Sequence, residues 1–143
     1  MIDWQPHLTP LEILERGAFG MGYFHKATYA DLQGLGLPGG VVLMNSRRPN
    51  HTRNAYGVKS GMSLAEWQAK GWVFDEDPLG WFHWYCRYHA GRRHLRDAHQ
   101  IVRQQRYLAL TTRFGEIFHR PAVLQSLVHW AYDPARLLAE SGG

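Results

Sequence analysis

The fold of this chain is decided by residues 77–91, which form the sequence DPLGWFHWYCRYHAG. Asp77 and Pro78 are typical of a helix start, because aspartate caps free amide groups and proline suits the first turn. Gly91 is typical of a helix end or a kink. Aromatic side chains fall on more than one face of this helix, and a helix that is apolar all round is normally buried. We therefore predict a central, buried helix from Pro78 to about Ala90.

Helix signals recur on both sides of this stretch. Thr9, Pro10 and Glu12 form a capping-box pattern that predicts a short helix ending at Gly17. Apolar periodicity and start signals predict further helices over residues 64–70, with Ser63 as the cap, over about 93–110, from Pro121 onward, and for a turn or two after Pro134. The chain is predicted to be mostly α, a compact single domain over residues 1–143 with about five or six helices.

Residues 17–61 show no helical periodicity and contain many glycines. We predict one long, ordered glycine-rich loop here, because its aromatic side chains favour packing over disorder. Residues 41–44, VVLM, are bounded by Gly-Gly and Asn-Ser and are expected to form at most one short, buried strand.

Composition narrows the class of protein. The chain has 143 residues, 45% of them hydrophobic, and contains six Trp, seven Tyr and six Phe, which excludes global disorder. Its apolar runs are far shorter than the ~20 residues of a membrane span, and no signal peptide is recognisable at its start. Cys86 is its one cysteine, so no internal disulfide can form. We expect a soluble, cytoplasmic protein with no membrane partner.

Positive charge is concentrated in one block. The formal net charge is +4, and seven of the thirteen arginines lie between residues 87 and 113, where Asp97 is the one acid. On a helix over 93–110 the cations would follow one side, and such a side could neutralise successive phosphates of a nucleic acid. The residues concerned are Arg92, Arg96, His99, Arg103 and Arg106. A merely solvated helix face and a dock for an acidic protein partner are the alternatives.

A second group of residues favours a small-molecule pocket between the glycine-rich loop and the central helix. Stacking aromatic rings beside forked guanidinium groups suit a flat, anionic, nucleotide-like ligand. The predicted ligand-binding residues are Tyr23, Trp84, Arg87, Tyr88, Arg92 and Arg93. The alternative is a core of aromatic rings in which the arginines bind helix-end carbonyls or the carboxylates of Asp75 and Asp77. We take the ligand pocket as the leading hypothesis and the nucleic-acid face as the second.

Two histidines beside the predicted pocket are candidates for proton transfer. His83 and His89 would titrate near neutral pH, and they are the candidate catalytic residues if the chain acts on its ligand. The reaction type stays open. No two histidines between residues 83 and 99 are four apart, so we predict no metal site, and no motif indicates a cofactor. Cys86 lies on the buried helix and is expected to be an inert packing thiol.

The chain resembles an uncharacterised family of small proteins in three segments. The central one matches G-W…D-P-x-G-W-F-x-W-Y-C-R-Y-x-x-G-R-R over residues 71–93, with His83 where the family has Gln. Residues 17–23 are similar to an early G-x-F-G-G-x-Y stretch, with Met21 in place of the second paired glycine, and residues 129–133 match a late H-W-A-Y-D. The resemblance implies no catalytic residue, because no activity is established for the family.

Overall fold

The computed structural model describes residues 4–58, 64–112 and 120–141. Within these ranges it contains seven α-helices, and the one β contact is an isolated bridge between Phe74 and Asp77. The helices are α1 (Pro10–Glu15), α2 (Gly39–Met44), α3 (Leu64–Ala69), α4 (Trp81–His89), α5 (Asp97–Thr112), α6 (Pro121–His129) and α7 (Pro134–Ser141). The mostly-α prediction is confirmed, although the helices outnumber the expected five or six.

α1 forms as its capping pattern predicts. The backbone amide of Glu12 donates to the Thr9 hydroxyl at 3.2 Å, and the backbone amide of Thr9 donates to the Glu12 carboxylate at 3.0 Å. Two amide groups that the helix cannot satisfy internally thus gain partners. Arg16 follows as the C-terminal cap, and Gly17, with φ 75°, takes the chain away from the helix.

Residues 41–44 belong to α2, so the prediction of a short strand is wrong. A lone strand would leave its backbone groups without partners, whereas a helical turn satisfies them locally. The Asn45 side-chain amide donates to the carbonyl of Val41 at 2.8 Å, and the Ser46 hydroxyl donates to the carbonyl of Val42 at 2.6 Å. These two bonds close the last turn of α2, which holds the two valines in a helix.

α4 begins at Trp81 rather than at Pro78. Its N-terminal cap is Gly80, whose φ of 112° favours glycine. Asp77 therefore does not cap the helix as predicted. The amide of Gly80 donates to the carbonyl of Asp77 at 3.0 Å, so residues 77–80 form a turn that leads into α4.

α5 begins at Asp97 rather than at Arg93. The Asp97 carboxylate accepts a hydrogen bond from the backbone amide of His94 at 2.8 Å, which fixes a turn before the helix. Arg92 and Arg96 consequently precede α5, and the predicted row of cations on a single helix face is shorter than expected.

The other helix boundaries follow local signals. α6 starts at Pro121 and α7 at Pro134, as predicted. The Asp133 carboxylate accepts the amide two residues ahead at 3.1 Å and so caps the first turn of α7. α3 is followed by Gly71, with φ 71°. Ser63, which was expected to cap α3, lies outside the described residues.

α4 is the centre of the core. Its residues from Trp81 to Cys86 are all buried, which confirms the prediction of a buried helix. The ring of Trp81 lies 4.9 Å from that of Trp130, just after α6, and 6.4 Å from that of Trp4 near the start of the chain. Its indole nitrogen donates to the carbonyl of Gln100 in α5 at 2.8 Å. Aromatic packing thus joins segments from both ends of the chain to α4.

The glycine-rich segment, described over residues 17–58, is a series of tight turns around α2. It includes two 3-10 turns, Ala18–Met21 and His51–Arg53, which lie against each other. A Cβ atom placed on Gly17 would be 1.8 Å from the carbonyl oxygen of Arg53. The two turns therefore touch backbone to backbone, and glycine is required at this position.

We expect Gly17→Ala to lower the free energy of unfolding by about 3 kcal/mol, because it combines a left-handed backbone with a steric clash. Gly34→Ala is the matched control: its φ of 71° is similar, but no atom lies within 4 Å of the added Cβ. This control should cost about 1 kcal/mol. Urea unfolding measures both, and equal losses would show that the contact with residue 53 does not matter.

Candidate functional site

A buried carboxylate lies at the centre of the predicted ligand-binding region. The side chain of Asp77 is 1% exposed and forms ion pairs with two arginines. Arg92 donates through both terminal nitrogens, at 2.8 and 2.6 Å, and Arg87 donates at 3.1 Å. The hydrogen bonds to Asp77 raise the pKa of Arg92. Two of the three arginines that were predicted to hold a ligand therefore have an anion from the chain itself.

Arg87 also binds main-chain oxygens of two segments that precede α4 in the chain. Its remaining donors reach four carbonyl groups at 2.7–3.2 Å. These are the carbonyls of Ala30, Asp31, Gln33 and Glu76. Three of the four lie in the glycine-rich segment, so Arg87 ties that segment to α4.

Arg93, the third predicted arginine, lies across the end of α4. Its guanidinium group donates to the carbonyls of Tyr88 and Arg92, both at 2.8 Å, and its central carbon lies 3.9 Å from the centre of the Tyr88 ring. A cation at a helix C-terminus stabilises the unpaired carbonyls there. These contacts match the alternative in which the arginines serve the helix end.

The predicted stacking residues are covered by another aromatic side chain. Trp84 is 1% exposed, and its indole nitrogen donates to the Asp97 carboxylate at 2.8 Å. The ring of Trp4 lies 5.7 Å from that of Trp84 and 5.5 Å from that of Tyr88. Trp4 thus packs against the aromatic face of Trp84 and Tyr88 that was predicted to stack on a ligand. Sequence analysis missed Trp4 because nothing local relates it to a helix that begins at Trp81.

The two candidate catalytic histidines differ in their surroundings. His83 is fully buried, its Nε2 lies 2.8 Å from the carbonyl of Asp31, and its Nδ1 accepts the backbone amide of Leu79 at 3.2 Å. This pattern requires the neutral ring with its proton on Nε2. Burial, and secondly the charge of Arg87, lower the pKa of His83. His89 is exposed at the end of α4, so the structure does not bring the two rings together.

The residues of the alternative nucleic-acid face do lie near one another. The pKa of His99 is lowered by burial and then by the charges of Arg103, Arg106 and Arg96. Arg96 is paired with Glu76, however. Arg103 donates to the Gln100 side chain at 2.7 Å and packs against Trp67 and Trp130. The third arginine near His99, Arg106, is exposed and forms no ion pair with a carboxylate of the described residues.

A different cavity opens in the glycine-rich segment. It has a volume of about 620 Å³, which is within the range of small-ligand sites. We call it the loop pocket, and its lining residues are Gly22, Tyr23, His25, Lys26, Arg48, Pro49 and Leu79. Tyr23 is the one residue of the predicted ligand site that lines it.

Backbone contacts between two parts of the segment shape the loop pocket. The amide of Phe24 donates to the carbonyl of Asn45 at 3.0 Å, and the amide of Asn50 donates to the carbonyl of Gly20 at 3.1 Å. A Cβ atom on Gly22 would lie 2.5 Å from the Pro49 ring, so the two stretches lie too close for a larger residue. The pocket wall is therefore formed by chain segments that support each other.

Tyr23 connects the loop pocket to α4. Its hydroxyl donates to the carbonyl of Leu79 at 2.7 Å and accepts the backbone amide of His83 at 3.0 Å. Burial raises the pKa of this hydroxyl well above its ordinary value, so it stays protonated. Both hydrogen-bonding functions are used internally, and the ring packs against those of Phe19, Phe82 and Phe24 at 4.5, 4.9 and 5.3 Å. Only the part of the ring that lines the loop pocket is left for contact with a ligand.

The rim of the loop pocket is cationic. Lys26 and Arg48 are exposed, and no carboxylate of the described residues forms an ion pair with either side chain. Sequence analysis missed them because they lie outside the block of seven arginines at residues 87–113. A signal was present, since residues 32–58 contain three arginines and no acid.

Another histidine, His129, supports the turn that leads to the loop pocket. Its Nε2 accepts the backbone amide of Phe19 at 3.4 Å and the side-chain amide of Gln125 at 2.8 Å. The orientation of Gln125 is fixed because its oxygen accepts the amide of Tyr56 at 3.0 Å. Burial lowers the pKa of His129 to about 4. Protonation of Nε2 would place an N–H group opposite the two N–H donors of Phe19 and Gln125. It would therefore break the hydrogen bond that holds the backbone of Phe19, whose φ is 60°.

Comparison of the chain with protein-family models, curated proteins and solved structures finds no match. The resemblance to a family of small proteins therefore stays a prediction. Across residues 4–58, 64–112 and 120–141, no helix has the length and apolar character needed to cross a membrane. The same residues contain no group of three or more histidine, cysteine or acidic side chains placed to hold a metal ion.

Asp77→Asn should lower the free energy of unfolding by roughly 3 to 5 kcal/mol, because two largely buried guanidinium groups would lose their counterion. Glu140→Gln is the control, since its pair with Arg136 is exposed and should contribute less than about 1 kcal/mol. Thermal or urea unfolding distinguishes the two variants. A loss for Asp77→Asn no larger than that of the control would contradict the central position given to this carboxylate.

The stability of the protein should rise with pH between about 4 and 6.5, partly because of His129. The unfolded chain binds a proton near the ordinary pKa of 6.5, whereas the folded chain binds it near pH 4. His129→Gln keeps an acceptor at a similar position but cannot titrate. Its unfolding free energy should vary with pH by up to roughly 3 kcal/mol less than that of the wild type. Parallel pH profiles would contradict this assignment.

Proposed function

We propose that the chain binds a small, flat anionic ligand, nucleotide-like in character, in the loop pocket. One observation carries the proposal: the rim cations Lys26 and Arg48 have no internal carboxylate partner, whereas Arg87 and Arg92 share one. Exposed cations that converge on a cavity attract anions more strongly than cations already neutralised. The ligand class is the one expected from the sequence, and the site has moved from α4 to the glycine-rich segment.

The apolar part of the pocket suits the flat part of such a ligand. Tyr23, Pro49 and Leu79 contribute an aromatic ring, a proline ring and an aliphatic side chain. Tyr23 is held by hydrogen bonds on both sides of its hydroxyl, so its ring does not need to be ordered when a ligand arrives. A ring system would pack on this surface while its anionic group meets Lys26 and Arg48.

In this proposal the residues first expected to contact the ligand hold the pocket in place. Arg87 and His83 bind carbonyls of residues 30–33, and the backbone of His83 binds Tyr23. Their position explains why charged and titratable groups lie on a buried helix without requiring them to react. The nucleic-acid alternative has less support, because Arg96 and Arg103 already have partners in the chain.

Binding of AMP, adenosine and inorganic phosphate to the full chain tests the proposal. AMP should bind more tightly than adenosine, which lacks the anion, and more tightly than phosphate, which lacks the ring. The double variant Lys26→Gln/Arg48→Gln should weaken AMP binding about tenfold or more, as expected from the loss of two charge-assisted contacts. Isothermal titration calorimetry measures all three ligands.

The matched control is Lys70→Gln/Arg106→Gln, which removes the same two charges away from the loop pocket. It should leave AMP affinity within about twofold, because distant surface charges are largely screened at physiological salt. Equal binding of AMP and adenosine would contradict the proposal. So would a loss of binding in the control double variant alone, a result that favours the cationic face of α5 instead.

A further inference from the structure

α2 ends in two adjacent apolar side chains that face solvent. Leu43 is 75% exposed and Met44 is 49% exposed, while Val41 and Val42 pack against the core on the other side of the helix. Single exposed apolar residues are common, but adjacent ones at a helix end form a small patch suited to a contact.

Positive charge adjoins this apolar patch. The Ser46 hydroxyl binds the carbonyl of Val42, so the chain stays close to the last turn of α2 before it reaches Arg47. Arg47 is exposed, does not line the loop pocket, and has no ion pair with a carboxylate of the described residues. Arg48 follows directly, and residues 32–58 contain no acid. The patch therefore combines apolar surface with uncompensated cations.

We propose that Leu43, Met44 and Arg47 form a docking surface for an acidic segment of a partner protein that also carries an apolar side chain. Charge complementarity decides between occupants, because carboxylates beside an apolar side chain match both parts of the patch. A second copy of this chain would bring the same cations face to face, which disfavours a symmetric contact. None of these three residues lines the loop pocket, so the surface does not depend on the ligand proposed for that pocket.

Two synthetic helical peptides test the proposal on the full chain. The first has leucine and glutamate on one face, and the second has the same glutamates with serine in place of leucine. Fluorescence anisotropy should show binding of the first peptide and at least about tenfold weaker binding of the second. The variant Leu43→Ser/Met44→Ser should reduce binding of the first peptide to the level of the second.

Leu95→Ser/Leu110→Ser is the matched control, because these side chains are 99% and 55% exposed and lie elsewhere. It should bind the first peptide like the wild type. The Leu43→Ser/Met44→Ser variant should also keep its AMP affinity, so a failure here is separate from a failure of the loop-pocket proposal. Equal affinities of the wild type for the two peptides, or no binding of either peptide, would overturn the proposal.

Two further measurements separate the other occupants. Sedimentation should show a monomer whose mass does not depend on Leu43 and Met44, whereas a dimer lost in the Leu43→Ser/Met44→Ser variant would assign the patch to a second copy. Binding to phosphatidylserine vesicles that is lost in the same variant, without peptide binding, would assign it to a lipid surface. Either result would overturn the proposal.

Discussion

The rest of the structure depends on the buried carboxylate of Asp77. A charge that is 1% exposed needs compensation, and Arg87 in the last turn of α4 and Arg92 just after the helix supply it, although Asp77 itself precedes α4. Arg87 also donates hydrogen bonds to carbonyls of residues 30–33. One ion-pair cluster thus fixes the entrance of α4, its exit and the nearest part of the glycine-rich segment.

Under the proposed function, this cluster leaves the loop pocket as the site for an external anion. Guanidinium groups that already share a carboxylate and several carbonyls offer little to a ligand, since binding would have to replace strong, charge-assisted bonds. Lys26 and Arg48 face no such competition, and they lie at the rim of a cavity. In this account α4 supports the loop pocket through its charged and titratable side chains, and the glycine-rich segment forms the pocket wall.

Local patterns in the sequence predicted much of the fold, because the Thr9 capping box and the burial of α4 depend on neighbouring residues. The errors at the candidate site share a cause, which is distance along the chain. The residues next to Asp77 predict that it caps a helix, but its carboxylate accepts hydrogen bonds from Arg92, fifteen residues away. Trp4 covers the wall of Trp84 from eighty residues away, and no periodicity in the sequence reveals that contact. The sequence did not reveal the loop pocket, because contacts between residues distant in the chain form it.

The most direct measurement is the NMR response of individual arginine side chains when AMP is added to the full chain. Guanidinium signals of Arg87 and Arg92 report on the internal cluster, and that of Arg48 reports on the loop pocket. The account predicts that the Arg48 signal shifts on titration while the Arg87 and Arg92 signals stay in place. Shifts of Arg87 and Arg92 with an unchanged Arg48 signal would show that the anion binds at α4 and would contradict the account.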